Sequence, residues 1–245
     1  NERRDLAKKH GLTVLYEDNH LLVLEQPQNL PVQADASGDP DLLSIAKGYL
    51  REAGNKPGEA YLGLVHRLDR PVGGVMVFAK TSKAASRLSE GMKNGDFEKR
   101  YLTVLVGEPK VKKGVLKSYL KKNPVNNMVY LSTQGTEGSK YAELDYEVLE
   151  TKNGLSLTQV RLHTGRTHQI RVQMAKELVT PVYGDMRYGG ENAKKGYLAL
   201  WAYYLSFSHP TTDERLVFRV EPPKDVMPWT LFDTTKYVEI IKPLD

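Results

Sequence analysis

The sequence predicts an α+β domain built on a mixed, mostly antiparallel sheet. Three observations carry this. Apolar runs of strand length recur along the chain and are joined by turn residues. Only a few segments show apolar residues at helical spacing. No linker-like stretch divides the 245 residues, so residues 1–245 are expected to form a single domain.

The elements follow in order. Thr13 to Glu25 reads as two short strands around the polar turn Asp18-Asn19, and Gln26 to Pro31 is irregular. Leu42, Ile45, Ala46 and Tyr49 mark a helix from Asp41 to Ala53, stopped by Gly54. Leu62–Val65 and Val75–Ala79 are strands with a Pro/Gly turn between them. Ser82 is expected to cap a helix running to Lys93, with Ala85, Leu88 and Met92 on one side. Tyr101–Val106 is a strand, and Leu116–Leu131 contains a hairpin around Asn123-Pro124. Tyr141–Leu149 and Leu155–Leu162 flank Asn153-Gly154, a strong hairpin signal. After Gly165, Thr167–Leu178 is expected to be a helix with Ile170, Met174 and Leu178 as its apolar face. Leu198–Phe207 and Leu216–Val220 complete the strands.

Composition narrows the function. Hydrophobic residues at 40% support a sizeable core. The absence of cysteine excludes a disulfide scaffold, a thiolate nucleophile, a Cys-ligated zinc and an iron–sulfur cluster. No apolar run approaches the roughly 18 residues that span a bilayer, and Asn1-Glu2-Arg3-Arg4-Asp5 is unlike a signal peptide, so a cytoplasmic protein is expected. The net charge of +5 is unevenly spread. Lys80 to Lys122 holds twelve Lys/Arg against four acids, a net of +8, which leaves −3 for the rest. Such a segment is either a solvated lysine face or a surface for nucleic acid.

Two segments are dense in reactive groups. In His66-Arg67-Leu68-Asp69-Arg70-Pro71-Val72-Gly73-Gly74 an Asp stands between two arginines on a turn between strands. Nearby arginines favour its carboxylate. Asp69 is either the cap and ion-pair partner of a structural turn or a carboxylate held ionised as a nucleophile. In Leu162-His163-Thr164-Gly165-Arg166-Thr167-His168-Gln169-Ile170-Arg171, His168 and Arg171 are three apart, so a helix would point both at one site. Helix-start amides there suit an anion. His163 and His168 are five apart with no carboxylate nearby in sequence, so no metal site is expected. A third element, Lys99-Arg100-Tyr101-Leu102-Thr103-Val104, opens a strand with a Tyr after a basic pair.

Taken together, these blocks resemble an RluA-type RNA pseudouridine synthase. The likeness rests on YEDNHLLVL at Tyr16–Leu24, HRLDRPVGG at His66–Gly74, KRYLTVLVG at Lys99–Gly107 and TGRTHQIRVQMA at Thr164–Ala175, with a weaker echo in PVYGDMRYGG at Pro181–Gly190. It covers about Leu12 to Pro222. Three positions depart from the family pattern. Val72-Gly73-Gly74 stands where Thr-Ser-Gly is usual, Gln26-Pro27 replaces Lys-Pro, and Leu200-Trp201-Ala202 replaces Leu-His-Ala.

The resemblance implies a bent, mostly antiparallel sheet with flanking helices around a central cleft. It implies Asp69 as nucleophile and Arg67 as the residue that enters the RNA helix where the target nucleotide leaves. Tyr101 is implied to stack on the base and to take the C5 proton, and Arg171 to pair with Asp69. His66, Arg70, Lys99, Arg100, Arg166 and His168 are the accompanying RNA contacts. The implied partner is RNA, ribosomal or transfer, bound by a monomer without metal or organic cofactor. A base that leaves the stack costs a few kcal/mol, which a basic surface offsets. Two rival readings are a non-catalytic RNA-binding or folding module and a nucleoside hydrolase. The hydrolase would ordinarily need a second carboxylate, and the sequence offers one convincing candidate.

Overall fold

The computed structural model describes residues 1–54, 60–193 and 196–240. In chain order its elements are α1 (Glu2–Lys9), β1 (Thr13–Glu17), β2 (Leu21–Gln26), α2 (Leu42–Gly54), β3 (Gly63–Leu64), β4 (Gly73–Ala79), α3 (Ser82–Lys93), β5 (Glu98–Val106), β6 (Lys113–Lys122), β7 (Val129–Ser132), β8 (Lys140–Lys152), β9 (Leu155–Leu162), α4 (Gln169–Val172), β10 (Leu200–Ser208), β11 (Arg215–Arg219) and α5 (Thr234–Glu239). The fold is α+β, with an open, mostly antiparallel sheet and few helices. None of the described helices is long and apolar enough to cross a membrane.

The chain divides into two compact units, residues 1–98 with 204–220 and residues 99–203 with 221–245. In the first, β2 pairs antiparallel with β1 on one side and β4 on the other, and β3 adds to β4. The near-continuous apolar runs of β2 and β4 are buried over almost their whole length, as strands covered on both faces must be. The α2 face of Leu42, Ala46 and Tyr49 and the α3 face of Ala84 and Leu88 are buried. Thr81, not Ser82, caps α3: its hydroxyl accepts from the Ala84 amide at 3.1 Å. The buried stripe is accordingly Ala84 and Leu88 rather than Ala85, Leu88 and Met92. Helix α1 was not expected from its polar sequence. The Asn1 side chain caps it, acids lie in its first turn and lysines in its last, and Ala7 is buried.

The second unit carries the antiparallel order β5-β9-β8-β6-β7. Asn153 and Gly154 both take positive φ, 54° and 72°, which is the two-residue turn that joins β8 to β9. Leu120 of β6, Val129 of β7, Ala142 of β8, Val172 of α4 and Tyr188 form one buried cluster. The expected helix over 167–178 is corrected here. His168 has φ 53°, so helical geometry starts only at Gln169. Four α residues then give way to a π-helical turn, Gln173–Glu177. Leu178 caps that turn, and Val179 after it has φ +59°.

Candidate active site

In the first unit, the 66–74 segment is held from several directions. The Val72 amide donates to the Asp69 carbonyl at 2.8 Å and closes the turn. The Asn29 amide donates to the Arg70 carbonyl at 2.8 Å, and the Gln28 side chain donates to the Pro71 carbonyl at 2.7 Å. His66 Nε2 accepts from the Val77 amide at 3.1 Å, so a neutral ring carries its proton on Nδ1. Leu68 and Val72 are buried, which draws both ends of the turn inward. Asp69 between them is half-buried, and Arg67 is exposed. Gly74, the second residue of β4, has φ 134°, a backbone that favours glycine. The departure at Val72 therefore serves packing. Arg70 is engaged by Asp35, Asp39 and the Ser37 hydroxyl, so its guanidinium belongs to a surface ion-pair cluster.

In the second unit, β5 sets Lys99 and Tyr101 on one face and Arg100 on the other, opposite Leu162, Val160 and Arg161 of β9. The basic pair is less exposed than the sequence suggested. Arg100 is 6% exposed, and burial pulls the Lys99 ammonium's pKa down. Gly165 makes room for that ammonium: a Cβ on Gly165 would lie 3.3 Å from Lys99 Nζ.

The segment before α4 is a knot of side-chain hydrogen bonds. Gln169 Oε1 accepts from the Thr164 hydroxyl at 2.8 Å and from the Arg166 amide at 3.0 Å, while its Nε2 donates to the Glu143 carbonyl at 3.1 Å. Arg166 Nε donates to the Tyr141 carbonyl at 2.7 Å. His163 lies 2.9 Å from Asp145, which Arg161 also pairs.

His168 and Arg171 converge on Tyr188, although not from one helix face. His168 Nδ1 lies 2.6 Å from the Tyr188 hydroxyl, and the Arg171 guanidinium sits over the Tyr188 ring, 5.4 Å from its centroid. Arg171 also makes a two-pronged contact with Asp185. Nε donates to Oδ2 at 3.0 Å and Nη2 donates to Oδ1 at 2.8 Å. Asp185 is fully buried and Arg171 is 7% exposed.

A family model described as RNA pseudouridylate synthase matches residues 20–176. The chain belongs to this family. An RNA pseudouridine synthase of Helicobacter pylori strain J99, itself described as uncharacterized, is 33% identical over 239 residues, covering 94% of this chain and 73% of the relative. The ribosomal large subunit pseudouridine synthase D of Vibrio cholerae serotype O1 is 31% identical over 94% of this chain and 74% of the relative. The enzyme of the same name from Xanthomonas campestris is 34% identical over 88% and 67%. The structure of human RNA pseudouridylate synthase domain containing 4 shares the fold, with a TM-score of 0.75 and 23% identity over 91% of this chain and 93% of that one.

This pseudouridine synthase is thus an RluA-type isomerase of RNA, as its motifs implied. Two features of the synthase were missed from the sequence. One is the Asp185–Arg171–Tyr188 cluster, for which the only signal was the weak PVYGDMRYGG echo. The other is that Tyr16 to Leu21 is structural. The Asp18 carboxylate accepts from the His20 and Leu21 amides at 2.7 and 2.8 Å, from the Tyr16 hydroxyl at 2.8 Å, and bonds His209 at 2.7 Å. These contacts outweigh partial burial and hold its pKa at about 2.

Proposed function

We propose that this synthase converts uridines of large-subunit ribosomal RNA to pseudouridine in the cytoplasm, with Asp69 as the nucleophile. The observation that carries the reading is the single family match over 20–176, which takes in Asp69, Tyr101 and Arg171. The choice of ribosomal RNA rests on the relatives named for the large ribosomal subunit.

The chemistry balances within one nucleotide. The N1–C1′ bond breaks, the uracil turns, and a C5–C1′ bond forms. The C5 proton leaves and N1 gains one, so no oxidant, reductant or water is consumed. Asp69 attacks ribose C1′ or uracil C6, and its bond to the substrate breaks again in the second half of the reaction. Arg171, in the block Thr164–Ala175, is assigned to the reaction as its basic residue. Tyr101 stacks on the uracil and takes the C5 proton. Arg67, exposed on the Asp69 turn, fills the space the flipped nucleotide leaves. Lys99 and Arg166 flank the RNA path, joined by His66, Arg70, Arg100 and His168.

The test is incubation of the protein with an unmodified large-subunit ribosomal RNA transcript, followed by digestion and nucleoside analysis. Pseudouridine is the expected product. Free uracil would make the protein a hydrolase, and unchanged RNA would make it a binding module.

A further inference from the structure

We infer that Asp185 is a positioning residue of the synthase: it holds the Arg171 guanidinium in one orientation, and it affects turnover through Arg171 alone. The inference rests on the reading of Arg171 as part of the reaction.

Arg171 sits at the last turn of a helix only four residues long, followed by a π-helical turn. So short a helix fixes a long side chain poorly, and an arginine left to itself samples many rotamers. Asp185 and Tyr188 limit that freedom. The Asp185 carboxylate meets Nε and Nη2 side by side, the geometry in which two charge-assisted bonds fix the plane of the guanidinium. The Tyr188 ring lies against the guanidinium. The Tyr188 hydroxyl is in turn anchored by the Val129 amide at 3.1 Å and by His168 Nδ1.

Asp185 is itself built in. Its Oδ1 also accepts from the Arg187 and Tyr188 amides, at 3.0 and 3.2 Å. A Cβ on Gly184 would lie 2.1 Å from the Tyr197 carbonyl oxygen, and one on Gly189 would lie 2.4 Å from the Asp185 carbonyl oxygen. The turn that carries Asp185 is therefore closed down on both sides, at positions only glycine fills. A fully buried carboxylate paired with a nearly buried guanidinium is costly to desolvate and is weak support for stability alone. What the pair provides is a fixed direction for the guanidinium.

The test compares Asp185→Asn, Arg171→Met and the double variant in single-turnover assays. The probe is an unmodified large-subunit ribosomal RNA transcript carrying tritium at uracil C5, which is released to water when C5 bonds to C1′. Asn keeps an oxygen for the two backbone amides but turns an NH2 toward Arg171 Nε, so the turn survives and the fork does not. Asp185→Asn is expected to lower the rate about 100-fold with RNA affinity unchanged, the scale on which a misplaced group acts. The double variant is expected to be no slower than Arg171→Met, because Asp185 has nothing left to orient. A normal rate for Asp185→Asn beside a slow Arg171→Met overturns the inference alone, as do losses that multiply in the double variant. A normal rate for Arg171→Met overturns the reading of Arg171 and the inference with it. If Asp185→Asn does not fold, Asp185→Glu keeps the charge and displaces the carboxylate by one methylene. A loss of about 10-fold is then expected, and an unchanged rate overturns the inference.

Discussion

Asp18 and His209 are 191 residues apart in sequence and share a hydrogen bond of 2.7 Å. His209 Nδ1 accepts from the Thr211 and Thr212 amides, at 3.1 and 3.2 Å. The proton of the neutral ring is therefore on Nε2, and the histidine donates to Asp18. The bond ties the β1–β2 turn to the β10–β11 hairpin within the first unit.

The pKa of Asp18 is lowered to about 2 in the folded protein, against about 4 for a free aspartate. The unfolded chain thus binds the proton more readily. The stabilisation is complete above pH of about 4 and is lost as pH falls toward about 2. Asp18→Asn is expected to flatten the dependence of stability on pH across that window. Urea unfolding at stepped pH checks it, and an unchanged slope would assign acid sensitivity to other carboxylates.

Gly184 and Gly154 both have positive φ, +83° and +72°, and differ in what surrounds them. A Cβ on Gly184 would strike backbone atoms of Tyr197 and Leu198, while one on Gly154 would meet nothing within 4 Å. Gly154→Ala should cost about 1 kcal/mol for left-handed backbone. Gly184→Ala should cost about 3 kcal/mol, since overpacking adds to that. The latter corresponds to a fall in Tm of roughly 6–12 °C. Equal costs for the two would remove the steric account of the Asp185 turn.

Val179 is a β-branched residue at φ +59° and is 72% exposed, so its side chain contributes little to packing. Val179→Asn is expected to stabilise the protein by about 1 kcal/mol, because Asn tolerates this backbone. Denaturant midpoints decide it, and a destabilised variant would show that the valine side chain is needed.

Lys110, Lys112 and Lys113 are exposed beside the start of β6. If they meet RNA phosphates, reversing all three to Glu should reduce the log–log salt dependence of RNA binding by about 2, at about 0.7 to 0.9 per phosphate contact. An unchanged slope would make the run a solvated face.

Much of the fold was legible because its signals are local. Asn153-Gly154 specified a turn that needs two positive φ values, and the apolar runs of β2 and β4 could only be buried strands. The errors fall where distant contacts decide. Thr167 and His168 have acceptable helix propensity, yet the Gln169 side chain ties the preceding loop to Glu143, and His168 takes left-handed backbone to reach Tyr188. The Asp35 and Asp39 partners of Arg70, 35 and 31 residues away in sequence, could not be foreseen from its own segment. For the proposed site, it was the family resemblance that pointed to Asp69, Tyr101 and Arg171. The partner of Arg171 fourteen residues on was hidden, because a lone Asp in a glycine-flanked turn reads as an ordinary turn residue.

The central claim is that Asp69 is the nucleophile, and Asp69→Asn tests it most directly. The amide matches the carboxylate in shape and cannot attack. The measurement is pseudouridine formed in large-subunit ribosomal RNA under single-turnover conditions, with RNA binding and thermal unfolding followed in parallel. The expected result is no detectable pseudouridine, with folding and RNA affinity nearly unchanged. A variant that keeps a substantial fraction of the normal rate would contradict the account and leave Asp69 as a residue of the turn.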